Sequence, residues 1–362
     1  MRKSTILIYN VAVILFFLFC ALLLGAGLFA VAGGNPLAAY AVMFTEPLKD
    51  PFGISETLVR ATPLMLVAVG VAISFRSGIL NIGGEGQILI GAVAGAFVGL
   101  ALPDLPKFLL IPLIFATAFV GGALWGTIAG WLKAYLGVNE ILSTVMLNYI
   151  ASQVYIYLLR APMIDPQELA YGTGIPQTAQ LSPNAWLTRL MPPMRLHSGL
   201  IYAVLLAVLT YLMLWRTTLG YRMRACGAEP LAARCAGMNV KRHLVLAMLL
   251  AGGMAGLAGA VELCGVHRRA LEALSAGYGF SGIVVALFGG IIICVTALWL
   301  FLARATGRRA WASLAASDAV LVGLALVSAL AGLPGMVVIG LLLVAAASTV
   351  WGFSRETRRL AR

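Results

Sequence analysis

A chain of 362 residues in which 61% of side chains are hydrophobic and only 10% are charged, with a mean hydropathy of +0.98, cannot clothe a water-facing surface. A soluble domain carries roughly 25% charged residues, so the solvent for most of this chain is lipid. The net charge of +12 does not point to nucleic acid, because the basic residues fall in short clusters between apolar runs and form no long basic face.

In chain order, Arg2 and Lys3 precede an apolar run from Ile6 to about Val31. It exceeds the roughly 7–15-residue core of a signal peptide. An uncleaved first span is predicted, cleavage near the small residues Ala30–Gly33 being the other reading. Further apolar runs lie at about 58–75, 84–102, 108–132, 140–159, 199–215, 243–263, 282–303, 311–331 and 334–351. Each is long enough to cross ~30 Å of hydrocarbon at ~1.5 Å per residue. The expected fold is therefore all-α: a polytopic membrane bundle of about ten helices, residues 1–362 forming a single membrane-spanning domain.

An even number of spans puts both termini on one side. With both inside, about two thirds of the 25 basic residues fall on the inner side, the sign expected of cytoplasmic loops. Residues 160–198 then form an extracytoplasmic loop, and Pro162, Pro166, Pro176, Pro183, Pro192 and Pro193 leave it little regular structure. Residues 216–242 form a basic, helical cytoplasmic loop. The cysteines Cys20, Cys226, Cys235, Cys264 and Cys294 and the histidines His197, His243 and His267 are scattered without metal-ligand spacing. This argues against a zinc site or a disulfide framework.

Four segments carry the functional signal. Ser74–Gln87 joins two spans with hardly any loop, and its glycines at 78, 83, 84 and 86 allow a break in the helix. Asn81, Glu85 and Gln87 put polar groups there. Either they line a transport path through an interrupted helix, or they face water in a tight interhelical turn. In the second segment Glu140, Thr144, Asn148 and Ser152 recur every four residues and share one helical stripe, with Asn139 and Ser143 beside it. The stripe turns away from lipid, toward a wet cavity or a neighbouring helix.

The third segment, Leu219–Arg242, contains Glu229-Pro230, a helix start with Pro at the first position. Leu231-Ala232-Ala233 follows, and Gly237 is a natural stop. Such a helix can dock on a partner, or its basic flanks can touch lipid headgroups. The fourth, Ser275–Gly282, suits a re-entrant or hinge segment, or an ordinary outer turn.

Together these segments resemble the permease family that includes ABC importers for ribose, other simple sugars, nucleosides and, more distantly, branched-chain amino acids. "NIGGEGQ" at 81–87, "NEILSTVMLNYI" at 139–150, "GYRMRACGAEPLAARCAGMNVKR" at 220–242 and "GYGFSGIVVALFG" at 277–289 carry the likeness, in order and at matching spacing, over about residues 35–290. The resemblance implies that Gly227, Glu229, Pro230, Ala232, Ala233 and Gly237 form a coupling loop seated on an ATPase subunit. It also implies that Asn81, Glu85, Gln87, Asn139, Glu140, Ser143, Thr144 and Asn148 lie at or near the translocation path. The partners it implies are an ABC ATPase subunit that binds the ATP, a second permease subunit in a heterodimer, and an extracytoplasmic substrate-binding protein. It places the chain as a multi-pass protein of a bacterial inner membrane, most like the nucleoside branch, with simple sugars such as pentoses as the alternative cargo. After Gly290 the likeness fades, and residues 291–332 match nothing in the family pattern. Divergence or a local reading-frame error would explain this, and resequencing the coding DNA decides between them.

No GxxxxGK[ST] phosphate loop is present, so ATP hydrolysis is expected on another chain, with no cofactor or metal on this one. An ion-coupled transporter needs titratable groups near the midplane, and the candidates are only Glu85, Glu140, Glu262 and Asp318. A membrane enzyme is disfavoured, since neither HExxH nor GxSxG occurs and no catalytic residue is assigned.

Overall fold

The computed structural model describes Phe16, residues 19–172 and residues 176–287. The start of the first expected span, the spans expected at 311–331 and 334–351, most of that at 282–303, and with them Cys294 and Asp318, lie outside the described residues. Two compact units are distinguished, residues 55–299 and a second containing residues 1–54. In the second unit, helix α1 (Phe19–Val31) is followed by α2 (Pro36–Lys49). Asn35 caps α2, its side-chain oxygen accepting from the N–H groups of Leu37 and Ala38, and Pro36 occupies the first turn. The Tyr40 hydroxyl donates to the Leu22 carbonyl at 2.6 Å and ties the two helices together. Helix α2 was not foreseen from the apolar runs.

Among the described residues, six helices are long and apolar enough to cross a membrane: α3 (Pro51–Arg76), α4 (Gly84–Ala101), α5 (Lys107–Leu136), α6 (Glu140–Arg160), α8 (Gly199–Arg216), and α11 (Val240–Val261) with its continuation to His267. Each coincides with an expected span. A short helix α7 (Pro166–Tyr171) sits in the long loop, while α9 (Thr218–Ala228) and α10 (Pro230–Cys235) occupy the basic one. Helix α12 (Tyr278–Leu287) begins the eighth expected span. No strand occurs among the described residues, only the isolated bridges Gln177–Leu271 and Arg189–His197.

Helix α11 is the centre of the larger unit, with an unbroken buried run from Ala251 to Val261. Its glycines let backbones touch. A carbon added at Gly126 of α5 would lie 2.5 Å from the Met248 carbonyl, and one at Gly70 of α3 would lie 2.7 Å from that of Ala251. Gly122 meets Gly252 and Gly256 more closely still, and Gly91 of α4 meets Gly256. Without a hydrophobic drive between helices in lipid, close backbone packing at small residues holds α4, α5 and α11 together.

Beyond Val261 the helix widens into a π-turn over Glu262–His267 and stops at Arg268, whose φ is +59°. The long loop then zips along the outgoing chain. Thr178 donates its N–H to the Ala270 carbonyl at 2.9 Å, Leu181 to Arg268 at 2.9 Å, and Leu187 to Cys264 at 3.1 Å. Trp186 lies under the Arg268 guanidinium, 3.9 Å from ring centroid to carbon. His197 is buried at the base of this loop. Its Nδ1 accepts the Gly199 N–H at 3.2 Å, and its ring packs on Gly265. Burial first, and then the Arg195 charge, push its pKa down to about 4.

Two predictions follow from this packing. Replacing Gly256 by Ala and then Val lowers the thermal midpoint in detergent stepwise, each step costing about 1–3 kcal/mol. Gly27→Ala, inside α1 with nothing within 4 Å of the added carbon, does not lower it. For His197, the unfolded imidazole takes up a proton below about pH 6.5 while the packed one stays neutral until about pH 4. Stability is therefore flat above about pH 6.5 and falls as pH drops toward 4, by about 2 kcal/mol at pH 5. Melts followed by tryptophan emission at pH 7.5 and pH 5 test this, with His197→Gln expected to flatten the difference.

Candidate functional site

The chain between α3 and α4 is the irregular element around which the polar residues gather. Helix α3 ends at Arg76, and Gly78, with φ +74°, turns the chain out of it. Residues up to Gly83 run without helical geometry before α4 starts at Gly84. The depth of this break is fixed by its partner. Gly86 donates its N–H to the Asn148 side-chain oxygen at 2.9 Å, and the Asn148 amide donates to the Ile82 carbonyl at 2.9 Å. Asn148 is eight residues into α6, about 12 Å from its start at ~1.5 Å per residue. The helix is thus interrupted within the thickness of the bundle, on the side nearer the 216–242 segment.

Two further clasps close the break. Asn81 and Gln87 exchange hydrogen bonds, Asn81 Nδ2 to Gln87 Oε1 at 3.0 Å and Gln87 Nε2 to Asn81 Oδ1 at 3.1 Å. Asn81 Oδ1 also accepts the Gly83 N–H at 2.9 Å. Both side chains are 1% exposed, and Thr144 packs against Gly83 from α6. Glu85 points the other way, to the segment before α12. Its carboxylate accepts from the Ser275 hydroxyl at 2.5 Å and from the N–H groups of Gly277 at 3.2 Å and Gly279 at 2.8 Å. A half-buried anion is thereby held at the N-terminus of a helix, where the dipole favours it.

The segment that meets Glu85 enters from the opposite end of the bundle. Arg268 and Ala270 are tied to the long loop, and the Leu271 carbonyl accepts the Tyr155 hydroxyl at 2.9 Å. Tyr155 stands about 10 Å further along α6 than Asn148. Between Leu271 and Ser275 the chain therefore descends beside α6, and it turns back into α12 through Ala276 (φ +43°) and Gly277 (φ +78°). It is re-entrant.

The remaining members of the polar stripe have quieter places. Asn139 caps α6, accepting from Ile141 at 2.9 Å, and Glu140 pairs with Lys133 at 2.7 Å across the α5–α6 turn. The Ser143 and Thr144 hydroxyls return to the Glu140 carbonyl. The structure thus brings Asn81, Glu85, Gln87, Thr144 and Asn148 into one connected group, and leaves Asn139, Glu140 and Ser143 at the first turn of α6. The face of α6 that stays exposed is mainly apolar and aromatic, with Leu142, Met146, Tyr149 and Tyr157, and carries the one amide Gln153. Tyr155 and Ser275 were not singled out from sequence. Tyr155 sits seven residues after Asn148, on the same face, which was the available signal.

The basic segment forms two helices meeting at an angle. Glu229 is extended (φ −148°, ψ 91°) and separates α9 from α10, and Pro230 opens α10. Gly237 closes it with φ +78°. Within α10 only Ala233 is buried, packed with Cys226 and Val240, while Leu231 is 69% exposed. Gly227 lies against the chain leaving α3. A carbon added there would stand 2.5 Å from the Arg76 carbonyl and 2.6 Å from the Gly78 nitrogen. Near the same end, Arg224 stacks on Trp215 at 4.1 Å.

Of the carboxylates considered for ion coupling, Glu140 pairs with a lysine and Glu85 with neutral donors. Glu262 is 2% exposed, with one oxygen 3.4 Å from His267 Nε2 and the other without a hydrogen-bond partner among the described residues.

The break rests on Asn148, which predicts a specific cost. Asn148→Ala strands the Gly86 N–H and the Ile82 carbonyl in a dry interior, at about 1–3 kcal/mol for each group left unpaired. Asn148→Asp restores the acceptor only. The thermal midpoint in detergent should fall in the order wild type, Asp, Ala, while Ser152→Ala, which loses only a bond to its own Tyr149 carbonyl, is close to neutral.

The comparisons with known proteins agree with this architecture. Residues 53–304 match the model of the branched-chain amino acid transport system permease component family. The chain is 38% identical over 299 residues to the glucose ABC transporter permease protein TsgB13 of Haloferax volcanii, covering 78% of this chain and 76% of that protein. It is 37% identical over 291 residues to the guanosine ABC transporter permease protein NupP of Bacillus subtilis, covering 80% and 81%. To the nucleoside ABC transporter permease protein NupB of Lactococcus lactis it is 36% identical over 274 residues, covering 74% and 75%. No solved structure matches it significantly. With six membrane-length helices among the described residues, an interrupted helix and an exposed short helix on the basic segment, the chain belongs to the branched-chain amino acid transport system permease family and is a membrane-spanning permease subunit of the ABC transporter type.

Proposed function

We propose that this subunit forms part of the translocation path of an ATP-driven importer for nucleosides or nucleobases in a bacterial inner membrane. The observation that carries the reading is α10, a short helix begun by Pro230, closed by Gly237 and held by one buried residue, with its other side chains free for a partner. The partner is an ABC ATPase subunit that binds the ATP. A second permease subunit, forming a heterodimer, and an extracytoplasmic binding protein complete the importer. The coupling residues are Gly227, Glu229, Pro230, Ala232, Ala233 and Gly237. Arg76, Arg224 and Lys241 stack on Trp215 and Tyr135 near that end of the bundle. This basic clustering supports placing that end in the cytoplasm; the reading has ten spans in all, an even number, and so puts both termini there too.

In this reading the path runs beside the interrupted helix, near Asn81, Glu85, Gln87, Thr144 and Asn148, with Asn139, Glu140 and Ser143 toward its inner end. Asn81, Gln87 and Asn148 serve it by holding the irregular backbone open without water. The relatives named for guanosine and for nucleosides support the cargo, and the 38% identity to a glucose permease keeps simple sugars as the second reading.

The deciding measurement is a mild-detergent pull-down of the tagged chain from its native membranes. An ATPase subunit is expected to accompany it and to be lost on Glu229→Arg. Uptake by the reconstituted complex of labelled guanosine against labelled glucose and ribose then separates the cargoes. Recovery of the chain alone across several detergents would remove the ATP-driven reading and bring forward ion coupling, with Glu262 as the first residue to test.

A further inference from the structure

The interrupted helix touches two segments that come from opposite ends of the bundle. At its lower end, the backbone of Arg76–Gly78 is in direct contact with Gly227 at the close of α9, immediately before the extended Glu229 and α10. No side chain fits between them, so a displacement of α9 and α10 is passed to residues 76–78 without slack. At its upper end, Glu85 holds the tip of the re-entrant segment through Ser275, Gly277 and Gly279. Between the two ends, the Asn81–Gln87 exchange and the Asn148 clasp make residues 81–87 a stiff piece.

The two ends of the re-entrant segment are held differently. Its outer part is tied down by Leu181, Thr178 and Tyr155. Its tip turns through positive φ angles at Ala276 and Gly277; at Gly277 this is free of steric cost, but at Ala276 it costs backbone energy and persists only where neighbours enforce it. A carbon added at Gly279 would strike the backbone of Glu85, so the tip is also in van der Waals contact with the start of α4. A tip with strained backbone, anchored behind and held in front by one carboxylate, has the form of a two-position element.

We propose that Glu85 is a latch: it ties the re-entrant tip at 275–279 to the interrupted helix, so that movement of the α9–α10 coupling segment, carried through Gly227 and residues 76–87, sets whether the tip is held or released. Glu85 is a positioning residue here. Its role is to make the outer-side segment answer to events at the cytoplasmic end, and it need not touch cargo. The inference rests on the importer reading, since the driving movement comes from the ATPase partner.

The test uses the complete complex from native membranes, reconstituted in vesicles, with Cys235→Ser and a reporter Ala273→Cys on the exposed part of the re-entrant segment. A membrane-impermeant thiol reagent is added outside, with and without ATP and vanadate, against the same chain lacking the reporter. In the otherwise wild-type complex the labelling rate is expected to change with nucleotide. In Glu85→Gln it should be the same in both states, with uptake reduced about tenfold or more, the order expected for losing charged hydrogen bonds. ATP hydrolysis should persist, because it belongs to another chain. Glu85→Asp should recover part of the nucleotide response, and Ser275→Ala, which removes one bond and leaves the carboxylate in place, should fall between.

If Glu85→Gln and Ser275→Ala both keep the nucleotide-dependent labelling and wild-type uptake in a complex that hydrolyses ATP, the latch is wrong and the importer stands. If the chain brings no ATPase from the membrane, both fall together.

Discussion

A helix broken inside a membrane protein leaves backbone N–H and C=O groups without intrahelical partners, and each one buried unpaired costs about 1–3 kcal/mol. Everything about the break at residues 77–83 answers that constraint. Asn148 supplies an acceptor and a donor to Gly86 and Ile82. Asn81 and Gln87 satisfy each other and the Gly83 N–H. A carboxamide is well suited to this, because it offers both kinds of group on one rigid plane and brings no charge into low dielectric. The one charged member, Glu85, is met by a hydroxyl and two backbone donors and not by a cation.

The glycine seam of α4, α5 and α11 provides the frame against which the break is held. Helices that touch at backbone distance have little room to slide or rotate, so the frame is stiff where Gly122 meets Gly252 and Gly256. The interrupted helix and the re-entrant segment are joined by side-chain hydrogen bonds from Glu85 as well as by close backbone contact at Gly84 and Gly279. A stiff seam beside a polar, breakable junction is a division of labour that a transport subunit requires: one part keeps register while the other changes it.

Much of this was legible in the sequence, for physical reasons that can be named. The six described spans follow from run length and apolarity, and the glycine spacing of 78–86 pointed to the break. Pro230 and Gly237 marked both ends of α10, because fixed φ at a helix start and positive φ at its stop are chemical properties of those residues. The polar stripe on α6 was also visible, but not what each member does. Period four places Glu140, Thr144 and Asn148 on one face, and it does not say that Asn148 binds a chain segment more than sixty residues away while Asn139 only caps its own helix. Helix α2 escaped because Glu46, Lys49 and Pro47 interrupt its apolar run. The descent of residues 271–275 escaped because only the pairing of Tyr155 with Leu271 and of Glu85 with Ser275 fixes its depth, and long-range pairings leave no periodic trace.

Helix α10 is joined to the rest of the protein through Ala233 and its two buried neighbours, Cys226 and Val240. The outward residues Leu231, Ala232, Arg234 and Cys235 make no contribution to the core that holds the fold together. Selection can therefore rewrite that surface without retuning the membrane-embedded part. On the proposed docking role, a lineage would exchange one partner for another by altering a handful of side chains, and the six-residue helix, bounded by Pro230 and Gly237, would be the unit to transplant between permeases.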